Sequence, residues 1–290
     1  MKPYLKRLAP NLWILPSALL IIMVTVFPIF ELVLTSVSKV SMSGIRRGFI
    51  GLDNYVDVFR DPVFPSILRQ TAVWTVGIVV VTTIIAFFLA ILLNQSFVGR
   101  KFVRASLIVP WAVSLIVTAM VWSWILNHEF GVLNFLLTRL GLIQNNIFWL
   151  GASYAFPWVM WVGVFVSLPF TAFVILAGLQ SISSDLYEAG AVDGASKGQM
   201  IRGITLPLLR PALTVSVVIN TINVFNSFPI IWSMTRGGPM NLTDTTITYL
   251  YKLAFTTKQM GQAAAVSVIS FVILLMFTIV YVTLSLRREK

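Results

Sequence analysis

Six stretches of this chain stay apolar for twenty or more residues, at 12–37, 71–93, 105–126, 156–178, 211–231 and 261–286. Crossing the hydrocarbon of a bilayer takes about 20 residues of α-helix. Inside it, every backbone N–H and C=O must be satisfied by the protein itself, which leaves helices and closed barrels as the spanning structures. The runs are read as helices. The expected fold is an all-α, polytopic membrane protein with six transmembrane helices. Its membrane domain covers 12–286, with short ends at 1–11 and 287–290 and a polar segment at 179–210. Composition agrees: 11% of the residues are charged and 58% hydrophobic, whereas soluble domains carry about 25% charged residues. Lys2, Lys6 and Arg7 precede the first run as in a secretory leader. The run is too long for a leader's apolar core and no small-residue cleavage site follows, so a retained helix is expected. Pro28 is a kink site within it, which membrane helices tolerate.

The basic residues give an orientation. With the first end inside, the inner segments hold about 12 Lys and Arg in roughly 60 residues, and the outer loops about 9 in roughly 95, an inner excess that the positive-inside rule turns into two cytoplasmic termini. The inner clusters are Lys2/Lys6/Arg7, Arg100/Lys101/Arg104, Lys197/Arg202/Arg210 and Arg287/Arg288/Lys290. The formal charge of +11 is therefore not a nucleic-acid signal: the basic residues flank apolar runs, where they orient helices and meet anionic lipid. No cysteine is present, so disulfides, thiolate metal sites and a cysteine nucleophile are excluded.

Between the fourth and fifth runs, on the side the charges place inside, lies a polar island of small residues: Tyr187-Glu-Ala-Gly-Ala-Val-Asp-Gly-Ala-Ser196, followed by Thr205-Leu-Pro-Leu-Leu-Arg-Pro211. Asp185 with Glu188 three residues on reads as a capping box opening a helix. Ala189, Gly190, Ala191, Gly194 and Ala195 then leave that helix nearly without side-chain bulk, and two internal glycines cost roughly 1 kcal/mol each relative to alanine. Such a surface suits close approach by another protein. On the residues alone, Glu188 as a cap and the glycines as a stop explain the pattern equally well.

Glu188-Ala189-Gly190, three residues to Asp193-Gly194-Ala195, and then Leu206-Pro207 resemble the EAA motif of permease subunits in binding-protein-dependent ABC importers; Gly190 stands where alanine is usual. The loops extend the likeness. Phe49-Ile-Gly-Leu-Asp-Asn-Tyr55, Asp61-Pro62-Val63-Phe64, Gly131-Val-Leu-Asn134, Trp149-Leu150 and Thr235-Arg-Gly-Gly-Pro239 are similar to the outer loops of the carbohydrate-uptake permeases. Ordinary turn chemistry also accounts for Gly237, Gly238 and Pro239. The resemblance implies a type I importer permease fold in the inner membrane of a bacterial-type cell. It implies that Glu188, Ala189, Gly190, Asp193, Gly194 and Ala195 couple to ATPase subunits. It also implies the partners: a second, similar permease subunit, two ABC ATPases that hold ATP and Mg, an extracytoplasmic solute-binding protein, and a sugar-like substrate.

Chemistry of other kinds is missing from the sequence. His128 beside Glu129 makes neither a triad nor a metal site. No phosphate-binding Gly-x-x-x-x-Gly-Lys-Ser/Thr loop occurs, so no cofactor is expected on this chain. Glu31, the one carboxylate within an expected span, falls near its outer end, away from the mid-membrane depth that proton-driven carriers use. The polar groups inside the spans are neutral. Asn220, Asn223 and Asn226 recur every third residue and share one side of a helix. Amides in hydrocarbon must face protein or a watery cavity. With Phe225, Phe228 and Trp232 close by they suit a sugar, whose hydroxyls amides bond and whose C–H face rings stack on. Bonding between helices is the competing use. Trp111 and Ser114 on the third run and Trp161 and Thr171 on the fourth are further path candidates. The rival readings are an importer permease for a non-carbohydrate solute and a stand-alone secondary carrier. The carrier requires an inverted repeat or buried charge, and neither is visible.

Overall fold

The computed structural model describes residues 14–287. The expected ends, Arg287 apart, and the first two residues of the first run lie outside them. Five helices are long and apolar enough to cross a membrane, and a bent pair makes a sixth crossing if taken as one span. The chain divides into two compact units, one formed by the chain up to Phe64 with Leu250–Ile273, the other by Pro65–Tyr249 with the residues from Leu274 onward.

In the first unit, helix α1 (Ile14–Ser36) has its apolar face wholly unburied, as suits contact with lipid or a partner. Pro28 leaves a trace in it. A proline inside a helix removes one backbone bond and crowds the carbonyl four residues back. That carbonyl belongs to Val24, in the middle of a π-helical turn, Ile22–Val26, where the Phe27 N–H reaches back to Ile22. After α1 comes a short hairpin that hydropathy gave no sign of. Strand β1 (Ser38–Val40) pairs antiparallel with β2 (Arg46–Phe49), with a bulge at Lys39/Val40. Helix α2 (Asp53–Arg60) follows. Asn54 fastens these pieces, donating to the carbonyls of Ser36 and Ser38 at 2.8 and 3.0 Å. The Tyr55 hydroxyl meets Ser36 Oγ at 2.7 Å. Glu31 is paired with Arg46 on β2, so its charge is neutralised within the unit.

The second unit carries helices α3 (Phe64–Asn94), α4 (Arg100–Ala112), α5 (Leu115–Ile125), α6 (Val132–Arg139), α7 (Ala155–Gln180), α8 (Ser184–Val192), α9 (Lys197–Phe225) and α10 (Phe228–Met234). Helices in lipid gain no hydrophobic drive from association, so small residues that let backbones approach are decisive. Gly163 on α7 is one. A Cβ there would lie 2.5 Å from Ile78 Cδ1 and 3.2 Å from Trp74 Cη2, both on α3. Gly178 plays the same part between α7 and α9, where a Cβ would meet Ala212 Cβ at 2.6 Å. Two apolar clusters form around these contacts. One holds Trp74, Ile78, Val159, Val162, Val224 and Ile231; the other holds Ala90, Leu93, Ile175, Leu179 and Leu209.

Two expected spans need correction. The run 105–126 is not one helix: α4 and α5 are bent by 100° at Val113 and Ser114. Pro110 removes a donor near the end of α4, and Val113 is extended. The run 211–231 is broken as well. Helix α9 begins earlier, at Lys197, and stops at Phe225, with Asn226 and Ser227 between it and α10. Continuing α9 would set the ring of Pro229 against the carbonyl of Phe225.

Candidate functional site

The polar island folds as a helical hairpin. Ser183, not Asp185, caps α8, its Oγ accepting the Asp185 N–H at 3.3 Å, so the expected Asp185–Glu188 box does not form. Asp185 lies in the first turn instead, where a carboxylate favours the helix dipole. Only Gly190 is internal to α8. Gly194 ends it, in the left-handed region at φ 75°. The Ala195 N–H returns to Gly190 O at 2.9 Å and the Gly194 N–H to Ala191 O at 3.1 Å, the pair of bonds that closes a Schellman motif. Ser196 then starts α9 with a true capping box to Gln199. Tyr187 Oη bonds Thr205 Oγ1 at 3.0 Å and ties α8 to the start of α9. Gly190 faces that contact, since a Cβ would meet Ile204 Cδ1 at 3.3 Å. Glu188, Ala189, Asp193 and Gly194 are exposed on the other side, with Ala195 half-buried. Val192 stands 88% exposed beside them, an apolar group where solvent alone would favour a polar one. Neither Glu188 nor Asp193 has an ion-pair partner among the described residues.

The two helix breaks meet at a cavity of about 660 Å³. Val113 and Ser114 line it from one break, Asn226 and Ser227 from the other. A broken helix leaves backbone groups without intrahelical partners, and in a membrane these are tolerated where they face protein or a water-filled space. Asn220, Asn223 and Asn226 all reach this cavity, with Trp111 and Ser114. Asn220 is 3% exposed and its Nδ2 has no hydrogen-bond partner among the described residues. Asn226 Nδ2 donates to Ile222 O at 2.8 Å, closing the end of α9. Apart from Trp111 the expected aromatics stand elsewhere: Phe225 is buried in the core, Trp161 is half exposed, and neither lines the cavity, nor do Phe228 and Trp232, which stack on each other at 5.3 Å. Thr171 is fully buried and bonds back to Ser167 O. Residues that sequence reasoning missed take the place of these aromatics. Trp74 on α3, with Ser167 and Phe170 on α7, lines the wall, and Trp74 Nε1 donates to Val224 O at 2.8 Å. None of the lining side chains is charged.

The loops of this unit are tightly bonded. Asn134, 1% exposed, accepts from the Ile147 N–H and Trp149 Nε1 and donates to the carbonyls of His128 and Ile147. His128 packs its ring edge-on to Phe148, and no cluster of metal-ligating side chains occurs among the described residues. Gly237 is required by its surroundings. It sits at φ 81°, and a Cβ would fall 1.7 Å from Asp244 Oδ1. Thr235 and Thr243 bond each other at 2.7 Å across the same turn.

Multiple membrane helices, two of them broken around an uncharged cavity, and an exposed hairpin of small residues define a transport subunit of the membrane. Residues 82–290 match the family described as "Binding-protein-dependent transport system inner membrane component", and the chain belongs to it. It is 47% identical over 285 residues to a probable ABC transporter permease protein of Brucella suis biovar 1, covering 98% of this chain and 99% of the other. It is 35% identical over 271 residues to the trehalose/maltose transport system permease protein of Thermococcus litoralis, covering 93% and 91%. Among solved structures, a bacterial ABC transporter involved in the import of the acidic polysaccharide alginate superposes with a TM-score of 0.87, covering all of both chains at 23% identity. The fold is that of an ABC importer permease, and the family is one of inner-membrane transport components.

Proposed function

We propose that this chain is one of two similar permease subunits that enclose a path for a sugar or sugar derivative. The observation that carries the reading is the cavity at the two helix breaks, with three carboxamides, serine hydroxyls and indoles and no charge. Amides and hydroxyls exchange hydrogen bonds with sugar hydroxyls, and an indole covers a C–H face. The names of relatives such as the trehalose/maltose permease point the same way.

The hairpin at α8 is the coupling element in this reading. Two ATPase subunits, carrying ATP and Mg, dock on the exposed Glu188–Gly194 side, and a solute-binding protein delivers cargo to the opposite face. Both termini are cytoplasmic, following the Lys and Arg excess. ATP binding closes the ATPases, α8 moves with them, and the helices turn outward to accept cargo; hydrolysis returns them inward. This is rigid-body switching driven by a ligand bound elsewhere.

Replacing Asn223, which is exposed to the cavity, by leucine tests the path. Loss of one cargo hydrogen bond of about 1 kcal/mol is expected to lower uptake by roughly fivefold with unchanged thermal stability. Full uptake at unchanged stability would refute the assignment. Lost stability with normal uptake per folded complex would assign the amide to helix bonding instead.

A further inference from the structure

The turn between α3 and α4 gathers three cations, Arg100, Lys101 and Arg104. Arg100, Lys101 and Arg104 have no ion-pair partner among the described residues. No Asp or Glu occurs between Asp61 and Glu129, so α4 and α5 offer none, and α3 offers none along its whole length. The α7 and α9 residues packed on this corner, Leu176, Leu179 and Leu209, are apolar. Arg104 directs one guanidinium nitrogen to Leu93 O at 3.2 Å, which holds the group over the last turn of α3. The Nε atoms of Arg100 and Arg104 are both shielded and have no hydrogen-bond partner among the described residues.

Apolar side chains stand out beside these charges. Val98 is fully exposed and Phe102 is 76% exposed. From Phe102 the exposed face of α4 continues through Ala105, Ile108 and Val109, while Val103 and Leu107 turn inward to the core. An apolar outer stripe that ends in cations is the pattern of a helix whose body faces acyl chains and whose tip lies at headgroup depth.

We infer that the α3–α4 turn holds the headgroup of an anionic phospholipid. Its phosphate lies against the guanidinium groups of Arg100 and Arg104, which match phosphate oxygens by paired N–H donors. Lys101 stands at the rim, and Val98 and Phe102 sit among the acyl chains. A free anion would leave those two apolar groups unexplained. The inference needs only that the chain lies in a membrane and does not depend on the cargo.

The chain has no cysteine, so Val98→Cys gives a single labelling site. The labelled full-length protein, with the partners that copurify, is placed in nanodiscs containing phosphatidylglycerol or phosphatidylcholine with brominated acyl chains. Phosphatidylglycerol is expected to quench the label at a mole fraction at least about fivefold lower, and each removed basic charge to cost about fivefold of that preference. Accordingly R100Q/K101Q, which leaves Arg104 in place, lowers the preference further than the loss of one charge does. K101Q alone, at an exposed side chain, reduces it, and carries the test if the double variant fails to fold. Equal quenching by the two lipids overturns the inference, as does a preference unchanged in K101Q. Absence of quenching by either lipid assigns the turn to a protein interface, and reversal by millimolar inorganic phosphate assigns it to a soluble anion; both overturn it.

Discussion

Gly190 and Gly194 stand four residues apart in one motif, and replacing each by alanine is expected to shift stability in opposite directions. Gly190 lies inside α8, where a glycine costs about 0.5–1 kcal/mol relative to alanine. An added Cβ would meet Ile204 Cδ1 at 3.3 Å and Met200 Cγ at 3.7 Å. The nearer atom is the end of a flexible side chain and can yield a few tenths of an ångström. Gly190→Ala is therefore expected to stabilise the hairpin. At Gly194 the space is open, with no atom within 4 Å, but φ is 75°. A left-handed alanine costs about 1–2 kcal/mol. The two variants should differ by about 1.5–3 kcal/mol, or from tenfold to somewhat over a hundredfold in the opening constant of α8, at 1.4 kcal/mol per decade. Hydrogen exchange of the 183–200 segment in the purified protein reads this directly. Faster exchange in Gly190→Ala, or unchanged exchange in Gly194→Ala, would refute the reasoning. The first result would mean that the α8–α9 contact at Ile204 has no slack.

Gly237→Ala meets both a forbidden φ and Asp244 Oδ1, so a loss of about 2–5 kcal/mol is expected, seen as a lowered melting temperature of the detergent-purified protein. For topology, cysteines replacing the exposed Leu52 and Met240 should react with an impermeant thiol reagent in sealed cells, and one replacing Lys197 only after lysis. Labelling of position 197 from outside would invert the orientation.

The apolar runs were legible because hydropathy over twenty residues reports membrane depth directly. The breaks at 113–114 and 226–227 were not, because an extended residue such as Val113 is as apolar as a helical one. Pro110 and Pro229 were the available signal, and the tolerance of membrane helices for proline hid it. The spacing of Asn220, Asn223 and Asn226 was readable and brings them to one cavity. Trp74 was not, since its partner Val224 lies 150 residues away. At the start of α8, Ser183 and Asp185 are both good caps two residues apart, and local sequence does not choose between them. At its end, glycine after a run of small residues could have been read as a stop, and Gly194 is one.

The widened turn of α1 has a counterpart in α9. Residues Ile201–Thr205 form a π-helical turn ahead of Pro207, and Gly203, four residues before that proline, lies at its middle, as Val24 does before Pro28. Such a turn is an α-helix holding one surplus residue. At about 100° per residue, the surplus sets everything beyond it out of phase with everything before it. One helical wheel drawn over α9 therefore misplaces its Lys197 end relative to the amides. Two wheels, joined at the turn, place Gln199 and Asn220 correctly, and the surplus residue fixes the rotation of the hairpin end of α9 relative to the cavity.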